Sequence, residues 1–235
     1  MVEERPRDAV THFSGYVEQF NALYRDRPDF DERLAIWHEL LDTYATPGGT
    51  AIDIGCGTGV FSFYLAGRGI SVIGVDGAPG MIQHCEERRN QQGIDNITFV
   101  QATLPHVDET RLNRADLVIS SSVVEYVEKL DDTFALFGRV LKPGGVLILS
   151  MPSLFSVSRV YERLKYALTG EPNIYAHIRH FSTPSLLERR VQRLGLRLLE
   201  SRYYAHPTRL ANLSRTLLLP GAMTEDLFVA VFRKA

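Results

Sequence analysis

The sequence predicts an α/β protein that contains a parallel sheet. From Thr50 to about residue 150, short apolar runs alternate with helical stretches, and the apolar run 50–54 leads into the glycine turn Gly55-Cys56-Gly57-Thr58-Gly59. Alternation of this kind is typical of βαβ units, which build parallel sheets. A glycine turn between a strand and a helix is also where such sheets bind nucleotide-like ligands. We therefore expect one α/β domain with a binding site at this turn.

The size and charge of the chain limit the classes of protein to which it can belong. The chain has 235 residues, 45% of them hydrophobic, which is enough for a single domain with a sizeable core and a small insert. Its formal net charge of -2 offers no general attraction to nucleic acid, because such binding needs clustered basic side chains. We expect a small-molecule partner, no nucleic acid, and a monomer or homodimer.

Cysteine usage and apolar runs predict a cytoplasmic protein. The two cysteines, Cys56 and Cys85, form neither a metal-binding spacing nor a disulfide framework, which fits a reducing compartment. The segment 1–7 lacks the apolar core of a leader peptide. No apolar run approaches the ~20 residues that a membrane-spanning helix requires.

Residues 1–45 are predicted to form a helical lid over the binding core. Helices are expected from about His12 to Tyr44, with an interruption at Pro28 and a new start near Asp31. Four aromatic residues recur at i, i+3, i+7 and i+11 on the first helix: Phe13, Tyr16, Phe20 and Tyr24. This aromatic face either packs in the core or covers a bound ligand.

Residues 50–150 are predicted to be the binding core of the sheet. The predicted strands are Thr50–Ile54, Ser71–Val75, Ile97–Gln101, Ala115–Ser120 and Val146–Ser150. The predicted helices between them are Val60–Arg68, Gly80–Gln91 and about Asp131–Leu141. The sequence Lys142-Pro143-Gly144-Gly145 predicts a turn that ends the last of these helices, because proline and glycine do not continue a helix.

The remaining residues are predicted to add a lid insert, 152–182, and the last part of the sheet, 183–235. Apolar residues at helical spacing predict a lid helix: Val157, Val160, Tyr161, Leu164 and Leu168. A loop from Thr169 to Ser182 follows. A further helix is expected to begin at Ser182 or Thr183, with Pro184 in its first position, and to end at Gly195. The last strands are expected at Leu196–Tyr204 and Leu227–Phe232.

The glycine spacing and two acidic residues indicate which nucleotide-like ligand is bound. The glycines follow a G-x-G-x-G pattern, and Val60 stands where a dinucleotide fingerprint requires Gly or Ala. Asp53, at the end of the first strand, would repel a pyrophosphate and attract a positively charged ligand. Asp76 closes the second strand, about 20 residues past the turn, where an acid usually binds ribose hydroxyls.

These motifs resemble those of the class I S-adenosylmethionine-dependent methyltransferases. The resemblance is specific over Thr50–Ser150 and looser elsewhere, and it is closest to small-molecule enzymes of quinone or natural-product biosynthesis. It implies a Rossmann-like, seven-stranded, mostly parallel sheet with helices on both faces, in which an antiparallel last strand lies next to the fifth or sixth. It also implies S-adenosylmethionine as cofactor, whose sulfonium and ammonium groups suit Asp53.

The resemblance assigns the following residues to the cofactor: Tyr16, Asp53, Gly55, Cys56, Gly57, Gly59, Asp76, Gly77, Met81, Ala102, Thr103, Leu104 and Ser120. Met81 corresponds to a residue that packs on the adenine face. Thr103 stands near the position where many relatives carry an Asp that accepts the adenine amino group. Ser120 begins the segment in which a small residue approaches the methionine part of the cofactor.

The acceptor is expected to be a small, apolar or aromatic molecule that is methylated on oxygen. Candidate proton acceptors are His177 and His180, three residues apart in one loop, and Glu125 after the fourth strand. Candidate substrate contacts are Tyr24, Tyr126 and Tyr161. No metal is expected, because the two histidines have no evident third ligand. Methylation of an amine or amino sugar, a nicotinamide oxidoreductase and a noncatalytic cofactor-binding module remain alternatives.

Overall fold

The computed structural model describes residues 9–26, 28–171, 173–204 and 220–235. In these residues the helices are α1 (Ala9–Phe13), α2 (Val17–Asp26), α3 (Pro28–Tyr44), α4 (Val60–Ala66), α5 (Pro79–Gln92), α6 (Leu130–Val140), α7 (Val157–Thr169), α8 (Pro184–Val191) and α9 (Gly221–Thr224). The strands are β1 (Thr50–Ile54), β2 (Ser71–Asp76), β3 (Ile97–Gln101), β4 (Ala115–Ser120), β5 (Leu141–Pro152), β6 (Leu196–Tyr204) and β7 (Leu227–Lys234). Short 3₁₀ helices occupy Glu109–Arg111, Asn173–Ala176 and Gln192–Leu194.

The seven strands form one mixed sheet in the order β3-β2-β1-β4-β5-β7-β6. The first five strands run parallel, and β7 lies antiparallel between β5 and β6. Strand order reverses between β1 and β4, which is the switch point where α/β sheets bind ligands. The predicted Rossmann-like fold with an antiparallel last strand is confirmed.

Alternate residues of the central strands point to opposite faces of the sheet. Ala51 packs on one side with Trp37 of α3, whereas Ile52 packs on the other with Phe134 of α6. Because side chains alternate along a strand, each buried strand can serve two hydrophobic clusters. The helices thereby cover both faces of the sheet and leave its carboxyl edge open for a site.

The N-terminal helical region is divided differently from the prediction. The expected break at Pro28 is confirmed in place, because α2 ends at Asp26 and α3 begins at Pro28, where a missing N–H costs little. The new start comes three residues earlier than the predicted Asp31. A further break falls at residues 14–16, between α1 and α2, and includes Gly15, a poor helix former. The rings of Phe13 and Phe20 nevertheless remain 5.7 Å apart across this break. Residues 205–219, between the last two predicted strands, lie outside the described residues.

The fifth strand starts earlier than predicted. The sequence Lys142-Pro143-Gly144-Gly145 lies within β5, and the register of β5 against β4 shifts between Ala115 and Leu117. Gly144 has φ +75°, so the predicted turn persists as a local irregularity. The ammonium of Lys142 lies 2.9 Å from both carboxylate oxygens of Asp116, which fastens this segment to β4.

The region after β5 contains the predicted helix of the lid insert. Ser156 caps α7, where its Oγ accepts a hydrogen bond from the backbone N–H of Arg159 at 3.4 Å. Thr183 caps α8 in the same way, and Pro184 occupies its first position as predicted.

No helix in the described residues is long and apolar enough to cross a membrane. The subdivision of the chain into lids and core stays a prediction.

Candidate active site

A cavity of about 950 Å³ opens at the carboxyl ends of the central strands. Its walls come from the segments that follow β1, β2, β3 and β4, with contributions from the N-terminal helices and α7. Ligand pockets of proteins usually measure about 300–1,000 Å³, so this cavity has room for a cofactor and a second small molecule. The open edge of the sheet is therefore the candidate active site.

Each glycine of the turn after β1 is required for a different reason. A Cβ on Gly55, which has φ +73°, would lie 2.1 Å from a methyl of Val123. A Cβ on Gly59, at φ +77°, would lie 2.9 Å from the ring of Phe63. Gly57, at φ +53°, lines the cavity and a Cβ there would meet no atom within 4 Å. Gly57 is thus the point where a ligand can approach the backbone closely.

Asp76 connects the glycine turn to the end of β2. Its Oδ2 accepts a hydrogen bond from the N–H of Gly57 at 2.9 Å, and its Oδ1 accepts one from Ala78 at 2.8 Å. Burial raises the pKa of this carboxyl, while the backbone N–H groups of Ala78, Gly57 and Gly77 oppose the rise. Asp76 lines the cavity, so its charge faces any bound ligand.

The expected contact of Asp53 with the ligand is corrected by the structure. Its carboxylate is buried beneath the turn and accepts a hydrogen bond from the hydroxyl of Ser62 at 2.6 Å. Burial raises the pKa of Asp53 to about 7, and the nearby charge of Asp76 adds to the rise. Because Asp53 does not line the cavity, it acts by supporting the turn rather than by touching a cationic group.

Residues after β2 and β3 form an apolar slot beside Asp76. The predicted cofactor residues in this wall are Gly77, Met81, Ala102, Thr103 and Leu104, all of which line the cavity. A Cβ on Gly77 would lie 3.3 Å from the hydroxyl of Thr103, so the slot is narrow. A flat, largely apolar ring such as adenine fits this shape.

Four other residues predicted for the cofactor lie away from the cavity wall: Tyr16, Cys56, Gly59 and Ser120. Cys56 and Ser120 are buried, because they pack beneath the turn and inside the sheet respectively. Ser121 and Ser122, the next two residues of the chain, line the cavity in place of Ser120. Ser122 has φ +57°, a conformation that non-glycine residues rarely adopt and that is concentrated at functional sites.

Glu125 is a buried carboxyl in the cavity wall. Its side chain is 2% exposed, and among the described residues its Oε2 has no hydrogen-bond partner. Burial raises the pKa of Glu125 to about 7, although Arg33 and Arg159 favour its charged form. A carboxyl with this pKa can take up a proton near neutral pH. Of the three predicted proton acceptors, it is the one that lines the cavity.

The two histidines do not line the cavity, which corrects their predicted role. Nε2 of His180 lies 2.8 Å from the carbonyl oxygen of Val127, and burial lowers the pKa of this histidine. His177 is buried within the loop. The backbone N–H groups of Arg179 and His180 both donate to the carbonyl oxygen of Glu125. The loop therefore holds Glu125 in position, and its histidines act as anchors.

Of the predicted substrate contacts, one lines the cavity and one is exposed away from it. Tyr126 lines the cavity, and its ring lies 5.3 Å from that of Phe13. Tyr161 is 61% exposed on the outer side of α7, so its predicted contact is wrong. Its position reflects the rotation of α7, which directs its polar side inwards. The side chain of Tyr24 lies outside the part of the chain that the structure describes.

Two arginines in the cavity wall were missed by sequence reasoning. Arg33 of α3 donates a hydrogen bond to the hydroxyl of Ser121 at 2.6 Å, beside the glycine turn. Arg159 of α7 lies farther out, against Tyr175. Arg33 is four residues before Trp37 and thus follows the buried stripe of α3, a helical spacing that could have indicated it.

The cavity fits S-adenosylmethionine in three respects. Gly57 leaves the backbone open, Asp76 directs a carboxylate beside it, and the slot around Met81 suits an adenine. Arg33 adds a cation to the cavity wall beside Ser121, after the end of β4. The cavity thus offers a hydrogen-bond acceptor and a cation, which suit the hydroxyl groups and the carboxylate that this cofactor carries.

Comparison with known proteins agrees with this fit. A family model described as a methyltransferase domain matches residues 45–193. The chain is 28% identical over 183 residues to the biotin biosynthesis bifunctional protein BioHC of Cellvibrio japonicus, covering 73% of this chain and 33% of that protein. It is 27% identical over 156 residues to a ubiquinone biosynthesis O-methyltransferase of Azorhizobium caulinodans, covering 63% of this chain and 59% of that enzyme.

A solved structure shares the fold. The N-methyltransferase NodS from Bradyrhizobium japonicum, determined with S-adenosylhomocysteine, matches with a TM-score of 0.66 at 16% identity, covering 94% of this chain and 98% of that one. The chain spans 33% to 64% of the lengths of the first curated relatives. Because the family match extends over more than half of the chain, the protein belongs to the S-adenosylmethionine-dependent methyltransferases, as the glycine turn and Asp76 predicted.

Proposed function

We propose that the protein transfers a methyl group from S-adenosylmethionine to an oxygen atom of a small, partly aromatic acceptor. The observation that carries this proposal is Glu125, a carboxyl in the cavity wall whose pKa is raised by burial to about 7 and whose Oε2 has no partner in the described part of the chain. A hydroxyl must lose its proton when it is methylated, and such a carboxyl can accept it.

The cofactor is proposed to lie along the glycine turn. Asp76 binds the ribose hydroxyls, the slot around Met81 holds the adenine, and the guanidinium of Arg33 binds the carboxylate of the methionine part. Support for the last assignment is the hydrogen bond from Arg33 to Ser121, which holds the guanidinium beside the end of β4. A planar guanidinium is well suited to a carboxylate.

The protein contributes to methyl transfer mainly by positioning and by excluding water. S-adenosylmethionine supplies the methyl on a sulfonium, whose charge disappears as the methyl moves. Aromatic rings of the N-terminal helices and Tyr126 enclose the acceptor side, and Phe13, Phe20 and Phe30 are among them. Glu125 removes the proton from the acceptor oxygen. A base is required only because a neutral hydroxyl is a weak nucleophile.

Methylation of an amine is the second candidate. Several carboxyl groups line the cavity, namely Glu125, Glu128, Glu162 and Asp226, and they would attract a protonated amine. Glu125 could then accept the proton that an ammonium group must lose before it reacts. The relatives also include both chemistries, because one is named an O-methyltransferase and another an N-methyltransferase. Space beside Glu125 for an acceptor argues against a noncatalytic module.

The acceptor atom can be tested with the protein and methyl-labelled cofactor. We expect label transfer to phenols or quinols in a panel that also contains matched amines. Products are identified by mass spectrometry and by their stability to alkali. Transfer to the amines alone would favour the second candidate, and cofactor binding without any transfer would favour the noncatalytic module.

The role of Gly57 gives a prediction with a matched control. Replacing Gly57 by alanine places a methyl group where the cofactor approaches, so we expect the Kd for S-adenosylhomocysteine to rise about tenfold or more, as one lost close contact of about 1.4 kcal/mol implies. Gly48→Ala serves as control, because Gly48 also has a positive φ, +74°, and a Cβ added there would meet no atom within 4 Å.

Both substitutions are expected to cost about 1–2 kcal/mol of stability, because alanine is strained at positive φ. Thermal unfolding and calorimetric titration measure the two effects separately. If Gly48→Ala and Gly57→Ala weakened the cofactor equally, the proposed approach of the cofactor at Gly57 would be wrong.

A further inference from the structure

A polar cluster in the cavity wall supplies neither the proposed base nor a proposed cofactor contact, although the charge of its arginine favours the ionised form of Glu125. It consists of Arg159 and Glu162 on α7, Tyr175 on the following 3₁₀ helix, and Asp226 just before β7. All four side chains line the cavity. They lie on three separate segments, so three parts of the fold contribute side chains to this position.

Arg159 is the centre of the cluster and is held on several sides. Its Nη1 donates a hydrogen bond to the hydroxyl of Tyr175 at 3.1 Å and lies 3.7 Å from Glu162. Its Nε lies 3.6 Å from Oδ2 of Asp226. The side chain is 18% exposed, so the guanidinium has little freedom to turn away from the cavity.

Most N–H donors of the guanidinium are not used in hydrogen bonds to its neighbours. It carries five N–H groups, and among the described residues it forms one hydrogen bond, to Tyr175; its buried Nε forms none. The carboxylates, in contrast, are already supplied with donors. The hydroxyl of Tyr175 donates to Glu162 at 2.6 Å, and the hydroxyl of Ser156 donates to Asp226 at 2.6 Å. The unused capacity of the cluster is therefore that of N–H donors on a guanidinium, whose positive charge Glu162 and Asp226 partly offset.

We propose that Arg159 binds a carboxylate group of the methyl acceptor and thereby selects aromatic or apolar carboxylic acids. This inference rests on the proposed function, because it concerns the acceptor of the same site. A guanidinium fork matches a carboxylate in geometry and charge. Glu162 and Asp226 lie close enough to repel a doubly charged phosphate more than a singly charged carboxylate. Tyr175 provides an aromatic surface beside the charge.

Three probes with the same ring test this assignment: 3,4-dihydroxybenzoate, 3,4-dihydroxybenzamide and 3,4-dihydroxybenzylamine. Binding is measured by calorimetry on the protein loaded with S-adenosylhomocysteine, which prevents turnover, and on the ligand-free protein. We expect the benzoate to bind about tenfold or more tightly than the benzamide, as one charge-assisted hydrogen bond implies, and the benzylamine to bind weakest.

Substitutions of Arg159 test whether this residue causes the preference for the benzoate over the benzamide. Arg159→Met is expected to reduce the ratio of benzoate to benzamide affinity to about one. Arg159→Lys, which keeps the charge without the planar fork, is expected to keep part of the preference. The matched control is Arg163→Met on the same helix, because Arg163 lies over the ring of Phe181, 4.7 Å from its centroid, and does not line the cavity. The control should keep the order of the three probes.

The outcomes separate this proposal from the proposed function. Tightest binding of the benzylamine would overturn the proposal in favour of a cation site, and equal binding of the three probes would overturn it as well. A preference for the benzoate that survives in both Arg159 variants would also overturn it. Failure to bind S-adenosylhomocysteine would instead overturn the proposed function, and the ligand-free titrations would still decide the role of Arg159.

Discussion

Glu125→Gln is expected to lower kcat by about 10²–10⁴-fold, because glutamine keeps the shape of the side chain but cannot accept the acceptor's proton. The Kd for S-adenosylmethionine should stay within about twofold, since Glu125 is not among the residues proposed to hold the cofactor. Initial rates with labelled cofactor and calorimetric titration measure the two quantities. An unchanged kcat with an oxygen acceptor would contradict the assignment of Glu125 as the base.

The pH profile offers a second measurement of the same group. Because burial raises the pKa of Glu125 to about 7, the charged and active form is scarce below that pH. We expect kcat/KM to rise as pH increases through about 7 and then to level off, and this limb should disappear in Glu125→Gln. Glu128→Gln is the control, since Glu128 also borders the cavity but is 76% exposed. It should keep the limb.

Thermal unfolding of Glu125→Gln shows whether a loss of activity comes only from a loss of folded protein. The folded-state pKa of Glu125 lies above its ordinary value, so ionisation of this carboxyl opposes folding increasingly as pH rises towards 7. Glutamine removes that opposition. At pH 8 we therefore expect the variant to unfold thermally at the same temperature as the native protein or higher.

The sheet was largely predictable because each buried strand leaves a strong local pattern. Thr50–Ile54, Ile97–Gln101, Ala115–Ser120 and Leu196–Tyr204 have the bounds that apolar runs and their flanking residues predicted. Ala115–Ser120, inside the sheet, is a nearly continuous apolar run, and this pattern needs no knowledge of distant contacts. Leu196–Tyr204 is an edge strand with polar residues, and Gly195 before it marks its start. The helical lid was less predictable, because the aromatic spacing continues through the break at residues 14–16.

The acceptor side was less predictable because it depends on how helices are rotated. The apolar stripe of α7 predicted a face that covers the site, yet Leu164 and Leu168 are exposed and Arg159 faces the cavity. Charged residues on amphipathic helices are usually solvated, so no local signal distinguishes Arg159 from its neighbours. His180 and Glu125 were equal candidates until the structure showed the histidine against the carbonyl oxygen of Val127.

Asp76→Asn is expected to raise the Kd for S-adenosylmethionine about 100-fold or more. The substitution replaces the charged acceptor proposed for the two ribose hydroxyls, and a hydrogen bond to a charged group is worth about 1.5–3 kcal/mol. It also presents a donor to the N–H of Gly57, which now donates to Oδ2 of Asp76 at 2.9 Å, so the glycine turn loses a support. Calorimetric titration with the cofactor measures the change.

Asp116→Asn is the control for a general loss of stability. Asp116 also accepts a backbone hydrogen bond, from Thr50 at 2.9 Å, but it lies at the other end of the sheet. Leaving a partly buried N–H without its charged acceptor costs about 1–3 kcal/mol, so both variants should unfold at lower temperature. Because only Asp76 faces the cavity, only Asp76→Asn should lose cofactor affinity. Equal Kd values in the two variants would contradict the proposed contact of Asp76 with the ribose.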